Sequence, residues 1–193
     1  MRGKIRSVSG VEAIASIGLA GKDWYTDARL QIDEVCRLGG FGRADFTGVL
    51  AVTSPVVAVR RNIRITLAKM VHGVRLPGTM GRVMTAADAW LDSRVMSGPK
   101  VTAFYSALMG CDDDIVWDSH MIAAMGVSIF RFNPTTRREC DRVVMAVSRR
   151  LGLTPLQCQA VIWTGWRGIQ GYKYAGYPVL EEYLSYVGVR ELA

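Results

Sequence analysis

The sequence predicts an all-α fold. Apolar residues recur at helical spacing along the chain, as in Val101, Phe104, Tyr105 and Leu108. Start and stop signals bracket these runs: Gly98-Pro99, Asp118 and Thr154-Pro155 open segments, and Gly110 and Gly126 close them. One alternating stretch exists, Phe130 and Phe132 about Arg131, and it reads as a half-buried connector. Half of the 193 residues are hydrophobic, enough for a sizeable core in one domain, or one domain with a small subdomain, over 1–193.

The first nine residues are polar, begin with the basic Met1-Arg2-Gly3-Lys4-Ile5-Arg6, and are expected to be loosely held. A short helix is expected over Val11–Ala20. Asp23 starts the next, whose inner stripe is Trp24, Ala28, Ile32, Val35 and Cys36, with Arg29, Asp33, Glu34 and Arg37 facing out. Gly39, Gly40 and Gly42 end it. Asp45 lies near the start of a helix that is apolar all round through Val49–Val52, the mark of a buried helix, and Thr53-Ser54-Pro55 breaks it. From Val57 to Val71, core positions Val59, Ile63, Leu67 and Met70 alternate with Arg60, Arg61, Arg64 and Lys69, read as mixed surface with a phosphate contact among them. A Pro/Gly connector over 74–81 leads to a helix at Val83–Leu91, a turn at 93–98, and a helix from Pro99 to Gly110.

Asp112, Asp113 and Asp114 mark a solvated turn, and Ile115, Val116 and Trp117 return to the interior. Asp118 caps a helix that carries Met121, Ile122 and Met125 inward. After the connector, Thr135 or Thr136 is expected to cap a long helix to Leu151, with Val143, Val144 and Val147 inward and arginines at its ends. Thr154-Pro155 starts a helix that buries Val161, Ile162, Trp163 and Trp166, among which Gln159 needs a buried partner. The tail 168–177, with Tyr172, Lys173, Tyr174 and Tyr177, is expected to fold back over a core, stacking on unpaired bases being the other use of such residues. A last helix is expected at Pro178–Val187.

The centre of the chain pairs two motifs. Gly98-Pro99-Lys100-Val101-Thr102-Ala103 is followed by Trp117-Asp118-Ser119-His120-Met121, with Asp118 eighteen positions after Lys100. This arrangement resembles the helix-hairpin-helix DNA glycosylases of base-excision repair (the HhH-GPD superfamily), where a hairpin ending in Gly-x-Lys-Thr-Ala precedes Val-Asp-Thr-His-Val with a catalytic Asp. It is also similar to small phage-encoded proteins of unassigned activity that share this core. Met96 stands where a glycine is usual, and no Leu-Pro-Gly precedes it. The resemblance implies a helix-hairpin-helix glycosylase-like helical fold, with the hairpin and catalytic segment at about 82–126. It implies Lys100 and Asp118 as catalytic residues, and Ser97, Gly98, Lys100, Ser54 and Asn62 as DNA contacts. The glutamine usual at the family's DNA wedge has no match, so the wedge residue is open.

The chemistry of these residue types fits that expectation. Breaking a base–sugar bond builds positive charge on the sugar, which a nearby carboxylate such as Asp118 stabilises. An amine such as that of Lys100 can attack C1′ and form a Schiff base, which permits strand cleavage. Backbone N–H groups of the Ser97–Lys100 turn suit a phosphate, and the target base must leave its stack. Plainer roles stand beside these: an N-cap for Asp118, a solvent or phosphate contact for Lys100, and local packing for His120.

Composition bounds the partners. Lys plus Arg number 24 against 17 Asp plus Glu, a net charge of +7 that suits DNA. No apolar run is long enough for a membrane span, and Glu12 within Val11–Leu19 argues against a secretory signal, so a cytoplasmic location is expected. Cys36, Cys111, Cys140 and Cys158 are dispersed and expected as reduced thiols. Their spacing cannot hold the four-cysteine iron–sulfur cluster of some glycosylases. Only His72 and His120 are available to zinc, so no cofactor or metal is expected. Two other functions fit the same residues: phage-type DNA base hypermodification, and non-catalytic DNA-binding or host interaction.

Overall fold

The computed structural model describes residues 5–174 and 176–188; the basic start at Met1–Lys4 lies outside them. The fold is all-α. Among the described residues ten helices follow in order: α1 (Val8–Ile17), α2 (Trp24–Gly39), α3 (Arg43–Val52), α4 (Val59–His72), α5 (Gly81–Ser93), α6 (Pro99–Met109), α7 (Ser119–Ala124), α8 (Pro134–Leu151), α9 (Pro155–Ile169) and α10 (Val179–Tyr186). Short 3-10 turns occupy Leu19–Gly21 and Ile129–Arg131, and no strand occurs among the described residues. The chain divides into two compact units. One takes the stretch up to Tyr25 and Gly110–Gly176; the other takes Thr26–Met109 and the stretch from Tyr177.

The first unit is built on α9, which packs against α1, α7 and α8. Thr154 starts α9 with a capping box: its hydroxyl accepts from Gln157 N at 3.2 Å, and Gln157 Oε1 accepts from Thr154 N at 3.1 Å. Ile14, Met121, Met125, Val144, Val161 and Ile162 lie in its core. Two glycines set the crossing of α1 and α9. A Cβ on Gly18 would lie 2.0 Å from the Val161 carbonyl oxygen, and one on Gly165 only 1.9 Å from that of Ile14. The two backbones therefore touch where no side chain fits. Gln159 is buried as expected, but its Oε1 has no hydrogen-bond partner among the described residues.

At two helix starts the cap decides where the helix begins. Asn133, rather than Thr135 or Thr136, caps α8: its Oδ1 accepts from the N–H groups of both threonines at 3.0 Å, with Pro134 at the first helical position. Ser7 caps α1, which begins three residues earlier than the apolar pattern indicates, because the first turn of a helix needs a cap rather than a buried side chain.

The second unit is built on α3, whose residues Phe46 to Val52 are all buried, against α4, α5 and α6. A Cβ on Gly48 would lie 1.9 Å from the Trp90 indole, so the ring lies directly on the α3 backbone. α10 packs on α4 through ion pairs: Arg60 donates to Glu181 at 2.9 Å and to Glu182 at 2.5 Å, and Arg64 donates to Glu182 at 2.6 Å. Lys69 pairs with Asp88, and Arg61 donates to the Pro77 carbonyl at 2.9 Å. The phosphate contact expected among these α4 cations is thus taken by the protein's own acceptors.

Candidate functional site

Lys100 and Asp118 fall in different units, and each has its own surroundings. Lys100 stands at the second position of α6, after the turn 94–98 that joins α5 to α6. Arg94 closes α5 in the left-handed region at φ 57°, which few side chains adopt. Its guanidinium lies 5.3 Å over the Trp90 ring and pairs with Asp45. Gly98, at φ 92°, turns the chain into α6, and its carbonyl accepts from Thr102 N at 3.1 Å. Ser97 and Gly98 are exposed, as a phosphate contact requires.

Lys100 itself is half-buried. Its Nζ donates to Ser54 Oγ at 2.7 Å and lies 5.6 Å from the Phe104 ring centroid. Beyond Ser54 comes a buried polar cluster. Thr53 Oγ1 lies 2.7 Å from Asn62 Oδ1, Asn62 Nδ2 donates to the Leu50 carbonyl at 2.9 Å, and Thr66 Oγ1 donates to the Asn62 carbonyl at 3.1 Å. Tyr177 packs edge-on to Phe104 in the same region, and burial raises its phenol above the ordinary value, with the Asn62 side chain working the other way. Asn62 is only 3% exposed, so the DNA contact expected of it is not available in this arrangement; its amide holds the break between α3 and α4 together. Ser54, 9% exposed, meets Lys100 rather than solvent.

Asp118 is the N-cap of α7, and the structure gives it a second task. Its Oδ1 accepts from Met121 N at 2.8 Å, and its Oδ2 accepts from Trp163 Nε1 at 2.9 Å. Two N–H donors from different helices therefore fix the plane of the carboxylate. Trp163 belongs to a ring cluster. Trp24 lies 6.2 Å away, His120 stands edge-on at 6.1 Å, and the Arg167 guanidinium lies 4.6 Å over the indole and 4.4 Å over Tyr172. His120 also stands edge-on to Tyr172 at 6.4 Å. Asp118, His120 and Arg167 are half-buried and Tyr172 is exposed. Trp117, expected to return to the interior, is buried and donates its indole N–H to Asp141 at 2.9 Å.

The Asp118–Trp163 bond and the stacked Arg167 escape a reading by motif alone. One signal was present: Trp163 and Arg167 are four apart, which places them on one face of α9. Tyr172 was visible only as part of an aromatic tail. Among nucleophiles, the buried thiols are poor. Burial pushes Cys36 and Cys140 up to about 11 and Cys158 to about 12, so each stays protonated. What the two surroundings offer chemically is an oriented carboxylate beside a partly exposed ring cluster in one unit, and an amine held by a hydroxyl in the other.

No curated protein and no solved structure matches the chain. A family model described as a family of unknown function (DUF7178) matches residues 11–170. That span takes in Lys100, Asp118, Trp163 and Arg167 and leaves out Tyr172 and α10. With most of its length matched, the chain belongs to this family of unknown function, DUF7178.

Proposed function

We propose that the chain acts on DNA as a base-excision-type N-glycosylase of helix-hairpin-helix type, with abasic-site lyase activity supplied by Lys100. The observation that supports this best is the Asp118 carboxylate, oriented by Met121 N–H and Trp163 Nε1 beside a partly exposed cluster of rings. A fixed carboxylate in a site poor in water favours an oxocarbenium-like sugar more than a mobile one does. The helix–turn–helix over α5 and α6, with exposed Ser97 and Gly98, suits a phosphate contact. In the reaction, the lone pair of Lys100 Nζ forms a bond to C1′, and the base leaves with the electrons of the glycosidic bond and takes up a proton. Lys100 must first give up its bond to Ser54 and lose one ammonium proton to solvent, which frees the lone pair that attacks.

The test uses duplexes carrying damaged bases or abasic sites, with borohydride to trap a Schiff base. A covalent adduct that Lys100→Ala abolishes supports the lyase step. Asp118→Asn keeps an N-cap acceptor and is expected to lower base release by at least about 100-fold, the scale of a lost transition-state contact. Unchanged base release in that variant would remove the mechanism.

A second reading is favoured by one observation. Both Asp118 oxygens are already engaged inside the protein, as a purely structural cap would be. A non-catalytic DNA-binding protein predicts salt-sensitive binding without any product. Nucleoside mass spectrometry of DNA from expressing cells separates both readings from base hypermodification, which leaves an altered nucleoside in the strand.

A further inference from the structure

Phe130 is 97% exposed, whereas Tyr172, the next most exposed aromatic among the described residues, is at 52%. Single exposed apolar residues are ordinary on protein surfaces. This one differs in how it is held. The 3-10 turn that carries it is closed by Arg131 N donating to the Ser128 carbonyl at 2.9 Å, Phe132 N to that of Ile129 at 3.2 Å, and Asn133 N to that of Arg131 at 3.0 Å. Both ends of the turn are anchored. Val127 is buried and donates to the Ile122 carbonyl at 3.2 Å, and the Phe132 ring lies 5.1 Å from the buried Trp117. Ile129, at 56% exposure, widens the apolar tip. The ring is thus presented on a built apex.

The charge around the apex selects the occupant. From Ser128 to Arg138 the sequence holds three arginines, Arg131, Arg137 and Arg138, and no carboxylate; Glu139 and Asp141 follow on α8. Asp141 is engaged by the Trp117 indole at 2.9 Å and by Arg137 at 3.9 Å. A hydrophobic ring flanked by guanidinium groups suits a base stack bordered by phosphates. Apolar wedges of this kind enter between base pairs, unstack them and kink the duplex, while arginines take the backbone.

We propose that the Ile129–Phe130 apex is the wedge that enters duplex DNA at a base step, with Arg131, Arg137 and Arg138 on the flanking phosphates. This rests on the DNA-acting reading above, and it supplies what that reading lacks, a residue that opens the stack so that a base can leave it. The side chain fills no part of the core, so its replacement tests binding without testing folding.

The experiment uses the full chain and a duplex with 2-aminopurine at its centre, whose fluorescence rises when it unstacks. The wild type is expected to raise the signal severalfold. Phe130→Ala is expected to abolish the rise and weaken binding about tenfold, the scale of one stacked base, with its melting temperature unchanged. Phe130→Leu keeps an apolar wedge and restores most of the rise. Arg137→Gln and Arg138→Gln are each expected to lower the salt slope of binding by about one while leaving the 2-aminopurine response at saturation. Equal DNA affinity in wild type and Phe130→Ala, with no fluorescence gain in either, overturns the wedge and leaves the glycosylase reading standing. Absence of DNA binding by the wild type at low salt overturns both. A loss on Phe130→Ala of binding to anionic vesicles, or of self-association, without any DNA unstacking also overturns the wedge.

Discussion

The unit around α9 and the unit around α3 each bury one helix on most of its sides, but they close in different ways. Around α9 two backbones meet, at Gly18 and Gly165, and the surrounding core is apolar. Around α3 a side chain meets a backbone, Trp90 on Gly48, and a polar cluster of Thr53, Asn62 and Thr66 joins α3 to α4. A backbone contact has no rotamer with which to relieve a clash, whereas an indole can turn. A polar cluster in turn depends on each of its hydrogen bonds being made, since a buried polar group left alone is costly.

Gly165→Ala gives the largest expected effect. Its Cβ would lie 1.9 Å from the Ile14 carbonyl oxygen, so the α1–α9 crossing must open, at about 3 kcal/mol or more. Gly48→Ala meets the Trp90 ring first and is expected to cost about half as much. Urea unfolding of both variants measures this, and the reverse ranking would break the comparison. Asn62→Ala should fall between the two glycine variants, at about 2 kcal/mol, because it strips partners from Thr53 and Leu50 inside the second unit. A loss below about 0.5 kcal/mol would mean that the polar cluster contributes little beyond a packed core.

Glu182→Gln sharpens the comparison through pH. Burial pushes the Glu182 carboxyl up, but hydrogen bonds from Arg64 and Arg60 outweigh it and hold the group below its usual 4.5. The stability this contributes is present above about pH 4.5 and is lost as pH falls through the lower folded value. Both arginines are about half exposed, so the loss near neutral pH is discounted to about 1 kcal/mol. The gap between wild type and variant should narrow below about pH 4.5; a gap that stays constant down to acid would remove the ion pairs as its cause. Thr154→Ala is expected to cost about as much, about 1 kcal/mol for the lost cap of α9, read as a shift in melting temperature.

Most helices were legible because periodicity and caps agree. Thr154-Pro155, Asp118 and Gly98-Pro99 each mark a start, and the all-apolar run through Val49–Val52 is the buried helix it looks like. What escaped is tertiary. Gly165 in mid-helix reads as a weak position by propensity, and only the neighbouring carbonyl of Ile14 explains it. Asn133 and its threonine neighbours compete for the cap because Asn and Thr both can take it, and only the backbone shows which residue is extended. At the candidate residues, Ser97 and Gly98 lie exposed, whereas the Asn62 amide, a residue type that also suits a DNA contact, is spent internally. The carboxylate of Asp118 was legible as a cap; its bond to Trp163 joins positions far apart in sequence that no local pattern connects.

The meeting of Gly18 with Gly165 carries a consequence for biosynthesis. The partner of the first helix is translated about 150 residues later, at about 5–20 residues per second a delay of roughly 7–30 s. Through most of that interval Val11, Ile14 and Ala15 lack the surface that finally buries them, and the Thr26–Met109 part of the α3 unit is made before it ends. The nascent chain therefore emerges with its earliest apolar stripe uncovered, and that stripe is where a trigger-type chaperone or an aggregating neighbour would engage it first.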